Sequence, residues 1–455
     1  MKKLGFNFPR EPRRTALWQA EQWYQKRLAD FLNRKFHPIK TSNFGEYDMA
    51  VNYLTSVLEE AAAINKVAVF NIDHMAQLEI AGKDSIRLLD RVFPTNISLM
   101  KVGQCKYTLL LTEEGTVLDD LIVMRVSVDK FILVINAGHD ITDESKGLIA
   151  DADYINAFKI EGEVVEIEDI SDQLVKIDVQ GPLSYKLITE LYGEIVVKNR
   201  NKPTKNMKFF TFNEFTYEDE KYYLSRTGYT NRWGWEMYLP VDVAVEQFKR
   251  IANKALQLGG LVVGLGGRDE NRISAGTFGL PLNGQEYDRE HTPINAPLFA
   301  AAVDMNKEDF VGKAALQAEL DKKIDKRLGL FITEGIVTGR DIYRDGKRVG
   351  VVTSSINSPN VSQEKREYIG SERKNLLGAD GTCAIGLGWF THNPFPVDAE
   401  GNDILSDEKG AIRIRLEFYK TKNGEKKGKP ILGYLSGDGV NPATASRALK
   451  NIQDL

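Results

Sequence analysis

Apolar residues near the start of the chain recur at the spacing of an amphipathic helix. Between residues 13 and 34 they stand three or four positions apart with charged residues between them, which predicts one helix with a single apolar face. We interpret this helix as packed on the main body of the protein; the alternatives are a dimer contact and a lid. The apolar positions are Leu17, Trp18, Trp23, Leu28, Phe31 and Leu32.

From Val67 onward the apolar pattern changes to the alternation that is typical of strands. It predicts two strands and a helix, followed by an antiparallel meander of three strands. This order favours an α+β domain with a mainly antiparallel sheet. A strand, a turn and a helix recur at 174–191 and suggest an internal repeat. The predicted elements span 67–73, 77–82, 83–92, 107–111, 116–125 and 130–136.

The chain after residue 325 has short predicted strands separated by Asp-Gly and Asn-Gly turns. This pattern predicts an all-β module, either a small barrel or a sandwich. A polar and charged stretch at 358–382 is interpreted as an insertion in that module. We therefore predict a helical extension over 1–66, an α+β core over 67–325 with an internal boundary near 155–170, and a C-terminal β-barrel domain over 326–455.

Composition and charge exclude some classes of function. The 455 residues are 42% hydrophobic and 27% charged, which is enough for two or three cores and unlike a disordered chain. A net charge of −4 without a basic stripe argues against nucleic-acid binding. The two cysteines and five histidines lack metal-binding spacing, so we expect no metal site. Since neither a bilayer-length apolar run nor a secretory signal is visible, we expect a cytoplasmic protein without membrane partners.

Two adjacent acids, Asp119 and Asp120, interrupt the apolar strand predicted at 116–125. Successive strand residues point to opposite faces, so one of the two carboxylates must point toward the apolar side. A buried carboxylate is costly unless it has a partner or a function. The alternative is a surface turn that ends at Asp119.

A second cluster runs from Arg226 to Tyr238, where a Gly-Tyr-Thr turn leads into an aromatic strand that contains Glu236. Aromatic faces stack on heteroaromatic ligands, and a carboxylate accepts paired N–H bonds from an aminopyrimidine-like edge. This cluster is therefore a candidate ligand site. The alternative is a core hairpin with Glu236 exposed.

A third cluster, Gly264-Leu-Gly-Gly-Arg-Asp, is rich in glycine and leads into a predicted helix. The N-terminus of a helix after such a segment can bind an anion. The pattern differs from the Gly-x-Gly-x-x-Gly of dinucleotide-binding folds, so a nucleotide fold is not expected.

The three clusters and the motifs around them resemble the glycine-cleavage T-protein family, from about Val67 to Gly350. The resemblance implies a three-domain cloverleaf of the T-protein type, with two α+β domains, a C-terminal β-barrel and tetrahydrofolate in a central channel. Further motifs in family order are Phe70-Asn-Ile-Asp-His-Met, Gly103-Gln-Cys-Lys-Tyr-Thr, Gln180-Gly-Pro, Leu282-Asn-Gly-Gln-Glu, Thr292-Pro and Phe310-Val-Gly-Lys-Ala-Ala-Leu.

The resemblance also implies roles for individual residues. Asp120 would lie near the reacting nitrogens of folate. Our hypothesis for the leaving group is that Tyr229 or Tyr107 assists it. Tyr107, Tyr229, Glu236 and Arg268 match positions that line the folate pocket, where Glu236 would hold the edge of the pterin. One-carbon transfer depends mainly on alignment, and a carboxylate stabilises the positive charge that develops on nitrogen.

The chain departs from the family around the candidate ligand site, where Asn231-Arg-Trp-Gly-Trp-Glu replaces Gly-Glu-Asp-Gly-Phe-Glu. Because the folate positions are kept while their surroundings differ, our first hypothesis is a tetrahydrofolate-dependent demethylase. Its donor would be a small molecule, namely an aromatic methyl ether, a sulfonium compound or an N-methyl compound. Arg232, Trp233 and Trp235 would form the donor site, or would simply pack.

Two alternatives to the demethylase remain open. One is a glycine-cleavage-type aminomethyltransferase that works with a lipoyl carrier protein. The other is a non-catalytic folate-binding protein, although the Lys-Gly-Cys signature of that group is absent from the comparable region of this chain.

Overall fold

A computed structural model of the protein divides into two compact units. The first unit comprises residues 1–228, 232–267 and 302–313, and the second comprises 229–231, 268–301 and 314–455. The predicted insertion at 358–382 lies almost entirely outside the described residues. Described are residues 12–138, 149–200, 202–230, 232–274, 286, 291–296, 302–322, 327–359, 376, 382–392 and 415–436.

The first unit begins with helix α1 (Trp18–Leu32), the hairpin of β1 (Lys40–Phe44) and β2 (Tyr47–Asn52), and helix α2 (Val57–Ala62). The predicted first helix is therefore present, and the segment predicted as a helical extension also contains a hairpin. α1 buries Ala20, Tyr24 and Leu28, which share one face. The backbone N–H of Val262 donates to the Tyr24 hydroxyl at 2.9 Å, so the helix packs on the body of its unit.

Two mainly antiparallel sheets form the centre of the first unit. The first strand of the six-stranded sheet, β3, comes before the five-stranded sheet in the chain. The next five strands, β4–β8, form the five-stranded sheet. The other strands of the six-stranded sheet all follow Asp169. The six-stranded sheet has the order β12-β13-β14-β9-β3-β15, with only β15 parallel to its neighbour. Its strands are β3 (Ala68–Asn71), β9 (Leu174–Gln180), β12 (Phe212–Tyr217), β13 (Glu220–Ser225), β14 (Gly234–Pro240) and β15 (Leu261–Val262).

The five-stranded sheet has the order β5-β6-β7-β4-β8 and is antiparallel throughout. One of its faces packs on helices α3 and α4 through an apolar cluster that includes Leu88, Leu121 and Leu133. Its strands are β4 (Ala76–Ala81), β5 (Cys105–Leu111), β6 (Val117–Arg125), β7 (Lys130–Ile135) and β8 (Glu166–Asp169), and the two helices are α3 (Ser85–Val92) and α4 (Asp151–Ala157).

The described part of the first unit also contains helices α5 (Ser184–Tyr192) and α6 (Val241–Gln257) and the two-stranded sheet of β10 (Lys198–Asn199) and β11 (Lys202–Asn206). Helix α7 (Leu265–Ser274) begins in the first unit and continues in the second, as does α8 (Lys313–Leu320). No helix within the described ranges is both long and apolar enough to cross a membrane.

The second unit contains a closed antiparallel barrel of six strands in the order β16-β19-β18-β17-β20-β21. Phe331, Ile342, Phe390 and Phe418 lie in its apolar core. The predicted α+β fold with a C-terminal barrel is confirmed, whereas the predicted domain boundaries stay predictions. The strands are β16 (Arg327–Thr333), β17 (Asp341–Arg344), β18 (Lys347–Ser358), β19 (Cys383–Phe390), β20 (Arg415–Lys422) and β21 (Glu425–Ser436).

Glu21 of α1 and Glu60 of α2 are buried carboxylates, and Glu60 connects the N-terminal segment to Gly264 in a later part of the first unit. The Tyr53 hydroxyl donates to Glu21, and the backbone N–H groups of Tyr53, Leu54 and Gly264 donate to Glu60. Burial raises the pKa of each carboxylate to about 7, although these hydrogen bonds act in the opposite direction.

We predict that Glu21→Gln reduces the pH dependence of stability. Since the pKa of Glu21 is higher in the folded state than the ordinary 4.5, the folded state binds the proton more tightly between these two values. The free energy of unfolding therefore falls as pH rises from about 4.5 to 7 and then levels off. Glu21 contributes up to roughly 3 kcal/mol to this fall. Urea unfolding at pH 5 and pH 8 measures the difference.

The matched control is Glu59→Gln, at an exposed carboxylate that pairs with Arg34 at 2.8 Å. Its effect on the free energy of unfolding is expected to be below about 0.5 kcal/mol at both pH values. An unchanged pH dependence in Glu21→Gln would contradict the prediction.

Candidate active site

A row of buried polar side chains lies on one face of β9. Lys176, Asp178 and Gln180 alternate with apolar residues that point to the opposite face, and each is at most 1% exposed. β9 lies between β14 and β3, in the middle of the six-stranded sheet. Burying polar groups in such a position costs free energy unless they are hydrogen-bonded. The partners of these side chains therefore indicate the function of this face of the sheet.

Glu236 of β14 is the centre of this polar face. It is paired in register with Asp178 and is 5% exposed, so the alternative of an exposed Glu236 is wrong. The Thr227 hydroxyl donates to Glu236 Oε2 at 2.5 Å, and Lys176 Nζ lies 3.5 Å from Glu236 Oε1. Each carboxylate oxygen thus has a polar partner on a different element.

Gln180 joins Asp178 to the turn that contains Thr227. Its side-chain N–H₂ donates to Asp178 Oδ1 at 2.6 Å and to the Thr227 carbonyl at 3.0 Å. The amide fills the space above Gly228 and Gly234, where an added Cβ atom would overlap it. Both glycines are therefore required for the Gln180 amide to reach its acceptors.

Cys105 of β5 lies close to this polar face and belongs to the apolar cluster that also contains Tyr238. Burial raises the pKa of its thiol well above the ordinary value, and the negative charge of Glu236 adds to the effect while Lys176 opposes it. The thiol is consequently neutral and behaves as a small apolar group, as the sequence predicts.

Asp119 and Asp120 lie within β6 and both are buried, so the alternative of a surface turn is wrong. Asn136, directly after β7, binds both acids. Its side-chain N–H₂ donates to Asp119 Oδ1 and Asp120 Oδ1, each at 2.8 Å, and its backbone N–H donates to Asp119 Oδ2 at 3.1 Å. Asp119 thus has a partner on each oxygen, and Asn136 fixes the position of Asp120.

Tyr107 shares a face of the five-stranded sheet with Asp120. Tyr107 pairs with Ile122, and Leu109 pairs with Asp120, so alternation places the tyrosine and the second acid on the same side. Tyr107 is half-buried. The structure therefore brings two of the predicted site residues to one face of one sheet.

Tyr229 and Arg268 belong to the second unit and contact each other there. The guanidinium of Arg268 lies 3.9 Å from the centroid of the Tyr229 ring, which is a cation–π geometry. Arg268 is buried, and its Nε–H has no hydrogen-bond acceptor among the described residues. This N–H group is suited to donate to a carbonyl or carboxylate of a ligand.

The three residues predicted to bind a donor are mostly packed against the protein. Trp233 and Trp235 are buried and contact each other edge to face, with ring centroids 5.9 Å apart. The guanidinium of Arg226 covers the Trp233 ring at 3.5 Å, and burial lowers the pKa of Arg226 to about 10. Arg232 Nη2 donates to Asn65 Oδ1 at 3.3 Å. Their role in donor binding stays a prediction.

The glycine-rich segment at the start of α7 packs closely, and its helix N-terminus is not available as an anion site. The backbone N–H of Gly264 donates to Glu60 Oε2 at 3.0 Å, so a carboxylate of the protein already occupies this helix N-terminus. A Cβ atom on Gly264 would overlap the Val51 carbonyl. The glycines therefore permit close packing rather than ligand binding.

Within the second unit, α7 is attached to the barrel through buried charges. Arg272 donates to Glu286 Oε2 at 3.1 Å, to Asp269 Oδ1 at 2.9 Å and to the Ser354 hydroxyl at 3.4 Å. Glu286 accepts further bonds from the hydroxyls of Thr353 and Ser354. Arg272 and Glu286 have no exposed side-chain surface, so this pair is fully removed from water.

Two of these side chains, each considered within its own unit, carry groups that are chemically complementary to parts of a reduced folate. Its aminopyrimidine edge offers N–H donors, and Glu236 supplies a buried carboxylate acceptor on a polar sheet face. Arg268 has a positively charged guanidinium, and its buried Nε–H is a hydrogen-bond donor without an acceptor among the described residues. When bound, tetrahydrofolate supplies the nucleophilic nitrogens that accept a one-carbon unit.

Sequence reasoning missed Asn136, Lys176 and Asp178. The signal for the last two is visible in Leu174-Val-Lys-Ile-Asp-Val-Gln, where polar residues alternate with apolar ones on a strand that is buried on both faces. Asn136 has no comparable signal because it stands alone at the end of an apolar strand.

Comparisons with known proteins identify the family of this chain. Residues 34–307 match the family model described as the GCVT N-terminal domain. An aminomethyltransferase of Halalkalibacterium halodurans is 32% identical over 71% of this chain and 84% of its own length. Those of Oceanobacillus iheyensis and Bacillus subtilis are 31% identical, over 74% and 71% of this chain and 88% and 85% of their own lengths.

Among solved structures, the glycine cleavage system aminomethyltransferase T from Bartonella henselae superposes with a TM-score of 0.66 at 23% identity. The match covers 89% of this chain and 95% of that one, which confirms the fold. The family match and the sequence identities together show that this chain belongs to the glycine-cleavage T-protein family of tetrahydrofolate-dependent transferases.

Proposed function

We propose that this enzyme is an aminomethyltransferase that takes its one-carbon unit from the lipoyl arm of a carrier protein. The observation that supports this proposal is the similarity to curated aminomethyltransferases, which extends over 84–88% of the lengths of the first two relatives. In this reaction the carbon loses its bonds to sulfur and to the amino nitrogen and gains bonds to folate nitrogens. Ammonia and the dihydrolipoyl group leave.

The residues of this chain contribute position and charge to that reaction. Glu236 accepts N–H bonds from the pterin edge, and Arg268 donates to an acceptor on the ligand. Asp120, fixed by Asn136 at 2.8 Å, supplies a negative charge beside the reacting nitrogens. Tyr229 assists the departing amino group by donating a hydrogen bond. Most of the rate enhancement then comes from alignment and preorganised charge rather than from covalent catalysis.

The demethylase hypothesis is the second candidate. It rests on the departure at Arg232, Trp233 and Trp235, yet both tryptophans are buried against protein side chains. Because the curated relatives are aminomethyltransferases, we place aminomethyl transfer first.

Turnover with tetrahydrofolate and a panel of donors distinguishes the two functions. The panel contains aminomethylated lipoyl carrier protein, methoxybenzoates, sulfonium compounds and betaines, and folate products are followed by mass. We expect methylenetetrahydrofolate and ammonia in equal amounts from the lipoyl donor. Formation of 5-methyltetrahydrofolate from a small methyl donor alone would overturn the proposal and establish a demethylase, and folate binding without turnover of any donor would indicate a non-catalytic protein.

A further inference from the structure

The ammonium of Lys176 lies inside the protein beside the carboxylate that we propose as the pterin ligand. Lys176 is 1% exposed, although lysine is among the residue types that are least often fully buried. Burying an ammonium costs several kcal/mol unless a charged partner compensates. An apolar side chain in the middle of a central strand would avoid this cost.

Glu236 is a buried carboxylate that faces this ammonium. Lys176 Nζ lies 3.5 Å from Glu236 Oε1, 3.7 Å from the Met75 sulfur and 5.3 Å from the centroid of the Tyr238 ring. The sulfur and the ring are weak partners for a cation, so the ion pair with Glu236 is the strongest of these three contacts. The two charges come from neighbouring strands of the same sheet, β9 and β14.

The two oxygens of Glu236 are held in different ways. Thr227 binds Oε2 at 2.5 Å, which is the length of a strong hydrogen bond to a carboxylate. The 3.5 Å separation of Lys176 from Oε1 is longer than a charge-assisted hydrogen bond, which measures about 2.7–2.9 Å. Lys176 therefore attracts the carboxylate without using the full hydrogen-bonding capacity of Oε1, so this oxygen can still accept from a ligand.

We propose that Lys176 is a positioning residue that orients Glu236 for recognition of the ligand's N–H edge. The inference rests on the proposed role of Glu236 in folate binding. Lys176 attracts one oxygen and Thr227 binds the other, so the carboxylate keeps one orientation before the ligand arrives. Preorganisation of this kind lowers the cost of binding. Lys176 acts on Glu236, which we propose contacts the pterin edge and not the reacting nitrogens. Loss of Lys176 therefore affects the affinity for folate rather than the chemical step.

The test is a double-mutant cycle on tetrahydrofolate binding, with Lys176→Met, Glu236→Gln and the double variant. Calorimetry under anaerobic conditions gives the Kd of each. We expect Lys176→Met to raise the Kd by about 10- to 100-fold in the parent and by less than about 3-fold in the Glu236→Gln background. At saturating folate, kcat is expected to stay within about 3-fold of the parent, so the effect appears in KM.

Two further variants separate positioning from a general loss of structure. Lys176→Arg keeps the charge and is expected to recover at least part of the affinity. Lys198→Met is the matched control, since this half-buried lysine bonds Asn206 at 3.0 Å, and its Kd is expected to equal that of the parent. Where Lys176→Met fails to fold, Lys176→Gln replaces it in the cycle and keeps a hydrogen-bond donor without the charge.

The outcomes are distinguishable. If Lys176→Met leaves the Kd unchanged, or if its effect is the same with and without Glu236, the positioning role is overturned. If Glu236→Gln itself leaves the Kd unchanged, Glu236 is not the folate-binding carboxylate, and the underlying assignment of Glu236 fails along with the role of Lys176. A loss of kcat without a change in Kd would also overturn the inference.

Discussion

Replacement of Asp120 by Asn is expected to lower kcat by about 100- to 1,000-fold while leaving the Kd of tetrahydrofolate within a few-fold of the parent. The substitution removes a negative charge but keeps an oxygen that can accept from Asn136, so the local geometry survives. Losing one preorganised electrostatic contact to a transition state has a typical effect of this size. Single-turnover kinetics with the lipoyl donor measure the chemical step directly.

Asp119→Asn is the matched control for this prediction. Both Asp119 oxygens accept from Asn136, and an asparagine has only one acceptor oxygen, so one half-buried N–H group would lose its partner. We expect a loss of about 1–3 kcal/mol in the free energy of unfolding and a kcat within roughly tenfold of the parent. Equal losses of kcat in the two variants would contradict a specific role for Asp120.

Arg272→Met is expected to destabilise the second unit by about 3–5 kcal/mol. The substitution leaves the Glu286 carboxylate buried without the cation that balances it, and such uncompensated charges carry penalties of this size. Urea unfolding followed by tryptophan fluorescence measures the loss, because Trp389 of the barrel donates through Nε1 to the Glu286 carbonyl at 3.0 Å.

The control for Arg272 is the double variant Arg272→Met with Glu286→Gln, which contains neither charge. We expect it to recover at least half of the lost stability, since replacing a whole buried pair by neutral groups costs far less than breaking it. A double variant as unstable as Arg272→Met would show that packing of the arginine, rather than charge balance, is responsible.

Local patterns predict most of the fold because the strands of this chain have regular alternation or continuous apolar runs. The helix predicted over 83–92 begins at Ser85 and ends at Val92, and the strand predicted over 130–136 ends at Ile135. The sequence pattern does not predict the hairpin of β1 and β2, because β1 is mostly exposed and polar and lacks the hydrophobic period that indicates a strand.

The candidate site is harder to predict because its partners are distant in sequence. The pattern around Asp119 and Asp120 predicts one buried acid, but both are buried since Asn136 reaches them from the neighbouring strand. Likewise, Lys176 finds its partner Glu236 only through the pairing of β9 with β14. The register between paired strands decides which side chains meet. A short stretch of sequence does not reveal this register, because the paired strands are far apart in the chain.

The order of strands in the barrel has a consequence for synthesis on the ribosome. β16 lies between β19 and β21, and Thr333 pairs with Gly433, so the pairing joins positions 100 residues apart. Until β21 leaves the exit tunnel, one edge of β16 has no neighbour. The nascent second unit thus exposes an unpaired strand edge for about 5–20 seconds at ordinary translation rates of about 5–20 residues per second. Chaperones that bind extended segments would meet this protein at that stage.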